Sequence, residues 1–135
     1  MDFSTISWLG VVVATVSTFL IGAIWYGPVF GKAWMAEMGY TEEELKNANM
    51  AKIYGTAFIL EFIMATLLAY TLSGHGEPLE MGVAVYHAII IGLGFIGFSK
   101  GVNYLFNRHS LKLWFIDSFY FVVTFTVMAI ILTLL

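Results

Sequence analysis

The sequence contains no cysteine and only two prolines in 135 residues, and just 11% of its side chains are charged. Without thiols there is no disulfide framework and no thiolate metal site. A water-soluble domain carries roughly 25% charged residues. Less than half of that solvating charge is present here, too little for a surface facing water on all sides. The net charge of −3 argues against nucleic acid, whose phosphates call for a basic face. Lysine and arginine are missing from the first 31 positions, from the stretch 73–80 and from everything after Lys112. Also missing are a serine in a nucleophile elbow and a phosphate-cradling glycine loop. The glycines between Gly92 and Gly101 lie inside an apolar run, where helix packing explains them better than a nucleotide does.

What the chain does have is apolar length. Hydrophobic residues make up 60% of it, with a mean hydropathy of +0.87. A helix that crosses a bilayer needs about 20 apolar residues, and four runs qualify, at about 6–26, 53–72, 81–100 and 113–135. The expected fold is therefore an all-α integral membrane protein, one domain of four transmembrane helices in an up-down bundle. Met1-Asp2-Phe3-Ser4 lacks the positive residues of a cleavable signal, so the first run reads as a retained span. The third run either stops near Lys100 or continues to Phe106.

Two runs carry small residues at helical spacing. Gly10, Ala14, Thr18 and Gly22 recur every four positions in the first, which stacks them on one face open to a close neighbour. In the third, Gly97 and Gly101 form a GxxxG pair, and Gly94 follows His87 by seven residues on nearly the same face. These stripes suit contacts between copies of the chain, or between spans 1 and 3 of one copy. The plainer reading is that glycine and alanine are simply common in membrane helices.

The boundary Trp25-Tyr26-Gly27-Pro28-Val29-Phe30-Gly31-Lys32-Ala33-Trp34 crowds rings, helix breakers and the first lysine together. Gly27-Pro28 is expected to end span 1. Trp25, Tyr26, Lys32 and Trp34, with Trp114 at the start of span 4, are expected to anchor the chain at headgroup level. A short interfacial helix is expected over 31–38. Thr41-Glu42-Glu43-Glu44 has the form of a capping box opening a helix over about 42–49, which explains the three glutamates better than a metal site. The turn at 73–80 makes spans 2 and 3 an antiparallel hairpin. His75 lies in that turn and reads as a polar loop residue.

All six basic residues, Lys32, Lys46, Lys52, Lys100, Arg108 and Lys112, fall between spans 1 and 2 or at the junction of spans 3 and 4. By the positive-inside rule these segments are cytoplasmic. Both termini then face outward across the cell (inner) membrane.

Gly22-Ala23-Ile24-Trp25-Tyr26-Gly27-Pro28, Phe30-Gly31-Lys32-Ala33-Trp34 and Thr41-Glu42-Glu43 resemble the start of the DUF1761 family of small bacterial membrane proteins. Leu111-Lys112-Leu113-Trp114-Phe115-Ile116-Asp117-Ser118-Phe119-Tyr120 is similar to the start of that family's last span. The resemblance covers nearly the whole chain and implies a four-helix membrane protein. The family is a domain of unknown function, so it supplies no catalytic residue.

Three ionisable side chains lie within the apolar runs, where each costs about 2.5–3.5 kcal/mol on insertion scales. At 1.5 Å per residue, Asp117 lies roughly 7 Å, Glu61 roughly 12 Å and His87 roughly 20 Å from the cytoplasmic ends of their spans. If their faces converge they form a staircase, with Ser17, Thr18, Tyr120 or Thr124 available to bridge its steps. In span 2, Ala57, Glu61, Ala65 and Ala69 share a face, which points the carboxylate at another helix. The functional reading is a proton or cation pathway with Glu61 at its centre. The structural reading is that Glu61 and His87 are hydrogen-bonded packing residues, and that Asp117 caps span 4 or pairs with Lys112. No HxxxH or ExxH spacing supports a metal site, and no cofactor is expected.

Two classes of function follow. One is an oligomeric assembly that conducts or transports an ion, proton or small solute. The other is a non-catalytic membrane scaffold that assembles with itself or with an unidentified membrane protein partner. An enzyme acting on lipid is the weakest reading, because the polar residues are few and lie at several depths.

Overall fold

A computed structural model of the chain describes residues 3–76 and 78–135. Met1 and Asp2 of the N-terminal stretch and Glu77 of the 73–80 turn lie outside the described residues. Helix α1 spans Trp8–Val29, α2 Gly31–Met38, α3 Glu42–Lys46, α4 Met50–Ser73, α5 Met81–Phe106 and α6 Leu111–Leu134. Among the described residues there is no strand. Helices α1, α4, α5 and α6 are each long and apolar enough to cross a membrane.

Side-chain caps set most of the boundaries. Ser7 accepts the Gly10 amide at 3.1 Å and starts α1. Asn49 accepts the Lys52 amide at 3.0 Å, which starts α4 at Met50 instead of near Ile53. Because Asn49 serves α4, the preceding helix has to stop short of it, and α3 ends at Lys46. Thr41 and Glu44 form the expected reciprocal box at its start. Ser110 accepts the Leu113 amide at 3.0 Å and starts α6 at Leu111. Helix α2 has the bounds the sequence suggests, and closes on Gly39 in the left-handed conformation (φ 73°) that favours glycine.

Two stretches are wound more widely than an α-helix. Pro28 has no amide to donate, and the last turn of α1, Trp25–Val29, opens into a π turn in which the Phe30 amide reaches the Trp25 carbonyl at 2.8 Å. Gly27-Pro28 therefore does not simply end the helix as expected. It distorts the last turn, with Gly27 at φ −101°, ψ −107°, and the chain re-enters helix at Gly31. A Cβ at Gly31 would sit 2.5 Å from the Tyr26 carbonyl oxygen, so only glycine fits. The glycine-rich centre of α5, Ile90–Gly97, is also π-wound, and the helix continues through Lys100 to Phe106.

Helix α6 is the centre of the packing. Helix α1 lies along one flank, with Gly10 against Leu132 and Gly22 against Tyr120. Helix α5 lies along the other, with Gly92 against Val122, Gly97 against Ser118 and Gly101 against Trp114. Residue numbers rise on one helix as they fall on its neighbour, so both pairs are antiparallel. Helix α4 packs on α1 through Trp8–Phe62 and Phe19–Tyr54 ring contacts, and on the segment before α1 through Phe3–Tyr70, again antiparallel. The spatial order is α4–α1–α6–α5, up and down in alternation.

Two expectations change in consequence. The small-residue stripes of spans 1 and 3 do not meet each other, because α6 stands between them. Helices α4 and α5, the expected hairpin, make few contacts, which leaves one side of α1 and α6 open.

An apolar core of Val11, Ala14, Ala65, Leu68, Leu72, Ala84, Ala88, Phe125 and Met128 fills the end of the bundle nearer the 73–80 turn. Large apolar side chains such as Leu9, Leu20, Ile59, Phe95 and Phe106 are exposed around the perimeter, a surface that is compatible with lipid. Hydroxyls within the helices are satisfied locally: Thr15 donates to the Val11 carbonyl and Thr66 to the Phe62 carbonyl, both at 2.8 Å.

Candidate functional site

Polar residues concentrate at the opposite end, where α1 distorts. Helix α6 presents Asp117 there, buried to 6% exposure. The Tyr26 hydroxyl donates to its Oδ1 at 2.7 Å and the Tyr104 hydroxyl to its Oδ2 at 2.5 Å. One carboxylate thus joins α1, α5 and α6. The indoles nearby also point inward: Trp25 donates to the Ile116 carbonyl at 3.0 Å and Trp114 to the Gly97 carbonyl at 2.8 Å.

Of the expected headgroup anchors, Trp25, Tyr26 and Trp114 therefore place their donors inside the bundle. Trp34 packs on the rings of Tyr26 and Tyr40, while Lys32 is exposed. The roles expected for Asp117 fall to other residues. Ser110 caps α6, and Lys112 lies 4.0 Å from Glu37, which also accepts the Ser110 hydroxyl. The Lys100 ammonium rests over the rings of Tyr104 and Phe121, 5.5 and 5.1 Å from their centroids.

Above this cluster a cleft of about 730 Å³ opens between α1, α4 and α6. Thr18, Gly22 and Tyr26 line it from α1, Tyr54, Ala57 and Glu61 from α4, and Tyr120 from α6. Its lining is mostly apolar and, among the described residues, contains one charged side chain, Glu61. That residue is 9% exposed. Its Oε2 is, among the described residues, the buried side-chain polar atom with no hydrogen-bond partner. The Tyr120 hydroxyl donates to the Thr18 carbonyl at 3.2 Å. The rings of Tyr120 and Tyr26 lie 5.2 Å apart, so the wall of the Glu61 cleft continues into the Asp117 cluster.

His87 does not join them. Its Nδ1 lies 2.8 Å from the Val83 carbonyl, and its ring packs on His75, with centroids 4.2 Å apart. His75 in turn lies 3.1 Å from the Thr71 carbonyl. The three-step staircase is thus reduced to two carboxylates at one end and a histidine pair at the other. Among the described residues no group of three His, Cys, Asp or Glu is arranged to hold a metal ion.

The packing residues divide as well. Gly10, Ala14, Thr18 and Gly22 face α6 or α4, and Gly97 and Gly101 face α6. Gly94 has only Ile90 of its own helix within reach of a Cβ, and Gly92 occupies the contact in its place. The π winding rotates the face, so a seven-residue spacing from His87 no longer keeps register. Sequence reasoning also missed Tyr54 and Tyr104. Tyr104 is 13 residues from Asp117 across a turn, and Tyr26 is 91 residues away. Neither spacing has a periodic signal.

A family model described as "Protein of unknown function (DUF1761)" matches residues 9–133. No curated protein and no solved structure gives a match.

Proposed function

The chain belongs to the DUF1761 family, whose description assigns no activity, and from the cleft we propose an integral membrane protein that moves a proton or small cation, with Glu61 as the exchanging group. One observation carries the reading. A carboxylate oxygen is buried in a cleft without a partner from the protein. Glutamates that serve only packing have their buried oxygens satisfied, and an uncompensated buried charge costs several kcal/mol. Glu61 becomes compatible with its site by binding a proton or by pairing with an incoming cation. These two states exclude each other, and alternation between them is the elementary step of coupled transport.

Asp117 differs in just this respect, since two tyrosine hydroxyls satisfy it. In this proposal it braces the distorted end of α1 beside the cleft. The protein resides in the cell membrane with its lysine-bearing segments in the cytoplasm and both termini outside. A lateral cleft in a four-helix unit does not by itself cross a bilayer, so the working assembly contains more than one copy. No covalent chemistry is assigned to it. Reconstituted in liposomes, the protein should show pH-dependent flux that Glu61→Gln abolishes. Undiminished flux in that variant would remove the proposal.

A further inference from the structure

We infer that the solute of the Glu61 cleft is a lipophilic organic cation carrying a single positive charge. This rests on Glu61 being the exchanging group, and adds to it the size, charge and polarity of what is exchanged.

Charge is the first constraint. Among the described residues, Glu61 is the only acid lining the cleft, and no Lys, Arg or His lines it. An anion would meet repulsion with no counter-charge, and a zwitterion would leave its own carboxylate unpaired. A dication would be only half neutralised. One positive charge matches the site.

Size and polarity narrow the class further. A volume of about 730 Å³ lies within the range of roughly 300–1,000 Å³ typical of small-molecule sites, and greatly exceeds any bare inorganic ion. Such an ion would also need several oxygen ligands to replace its water. The one carboxylate here is that of Glu61, and the Tyr26, Tyr120 and Thr18 hydroxyls are held by bonds to Asp117, the Thr18 carbonyl and the Thr15 carbonyl, none of them to Glu61. The walls otherwise offer rings: Phe19, Tyr26, Tyr54 and Tyr120. Ring faces attract cations, and more strongly when the cation is desolvated, while the apolar body of such a solute gains from leaving water. Ile53 and Tyr54 are exposed at the mouth of the cleft, so a solute dissolved in lipid can enter from the side. Gly22, Ala23 and Ala57 supply the room.

The test uses two ions of one shape and opposite charge, tetraphenylphosphonium and tetraphenylborate, titrated calorimetrically into the full chain in nanodiscs. Tetraphenylphosphonium should bind saturably, and tetraphenylborate should not. Glu61→Gln should weaken the phosphonium by about 30-fold or more, the effect of removing one member of a buried charge pair. Ala57→Leu, which fills the cleft and keeps the carboxylate, should weaken it as well, so the result does not depend on one variant folding. Acidification should weaken binding with uptake of one proton per cation released. The other titratable side chains facing Glu61 are Tyr26 and Tyr120 from α1 and α6, and Tyr54 from its own helix. Equal binding of both ions, or phosphonium binding indifferent to both substitutions, would overturn the inference. Glu61-dependent proton flux without phosphonium binding would overturn it while leaving the proton reading in place. Loss of both would remove both.

Discussion

Two buried carboxylates lie near the same end of this bundle and meet different fates. Asp117 accepts two tyrosine hydroxyls from two helices, and hydrogen bonds to a charged group are worth about 1.5–3 kcal/mol each. Asp117→Ala should therefore destabilise the protein by about 3 kcal/mol or more, seen as a lower midpoint in reversible unfolding in detergent. An unchanged midpoint would show that the tyrosine contacts do not hold the bundle. Glu61→Gln breaks no bond made by the protein, and should leave stability within about 1 kcal/mol or raise it, since the amide is neutral without needing to bind a proton or a cation. The sequence marks both residues as anomalous, because charge inside an apolar run is rare. It does not distinguish them, because their partners come from elsewhere in the chain.

At the scale of the helix, the departures from α winding decide which residues touch. The GxxxG pair Gly97 and Gly101 is readable from spacing alone and does face α6. Gly92 is not readable in this way, and lies where a Cβ would be 3.0 Å from the Val122 Cα and 3.1 Å from the Phe121 carbonyl oxygen. Backbone atoms cannot rotate aside, so Gly92→Ala should cost about 1–3 kcal/mol through overpacking. Gly94→Ala meets nothing closer than the Ile90 side chain at 3.9 Å, and should be neutral or slightly stabilising, as expected for alanine in a helix. Denaturation of the two variants side by side checks the register of the π segment. Equal costs, or a larger one at Gly94, would contradict the register that places Gly92 against α6. At the caps the signals are local, and one was read: Thr41 acts as expected, whereas Asn49 and Ser110, also acting within three residues of themselves, start their helices two or three residues before the apolar runs suggest, and Ser110 takes the capping role expected of Asp117.

For the whole molecule, the bias of lysine and arginine predicts an orientation. The absence of cysteine makes any introduced thiol the only one to label. In intact cells a membrane-impermeant maleimide should modify His75→Cys and leave Glu43→Cys untouched until the membrane is opened. The reverse pattern would invert the topology, and with it the side of the membrane nearer the Asp117 cluster. The order α4–α1–α6–α5 was not legible, because a four-helix up-down chain can wind in several ways with the same spans and turns. The open side between α4 and α6 follows from that order, and so does the cleft.

The sequence by itself determined the helical class, four helices long and apolar enough to cross a membrane, the Thr41 capping box and the family, because each depends on apolar length, on contacts a few residues apart or on contiguous motifs. Tertiary structure decided that Asp117 is satisfied and Glu61 is not, that His87 turns to His75, and that Gly92 replaces Gly94 at the α5–α6 contact. Those outcomes depend on which helix lies beside which and on how far π turns rotate a face, and both are set by packing between residues distant along the chain. The Trp25–Trp34 boundary shows the division within one segment: its composition places the end of a span, and only the fold turns Tyr26 inward to Asp117 beside the cleft that holds Glu61.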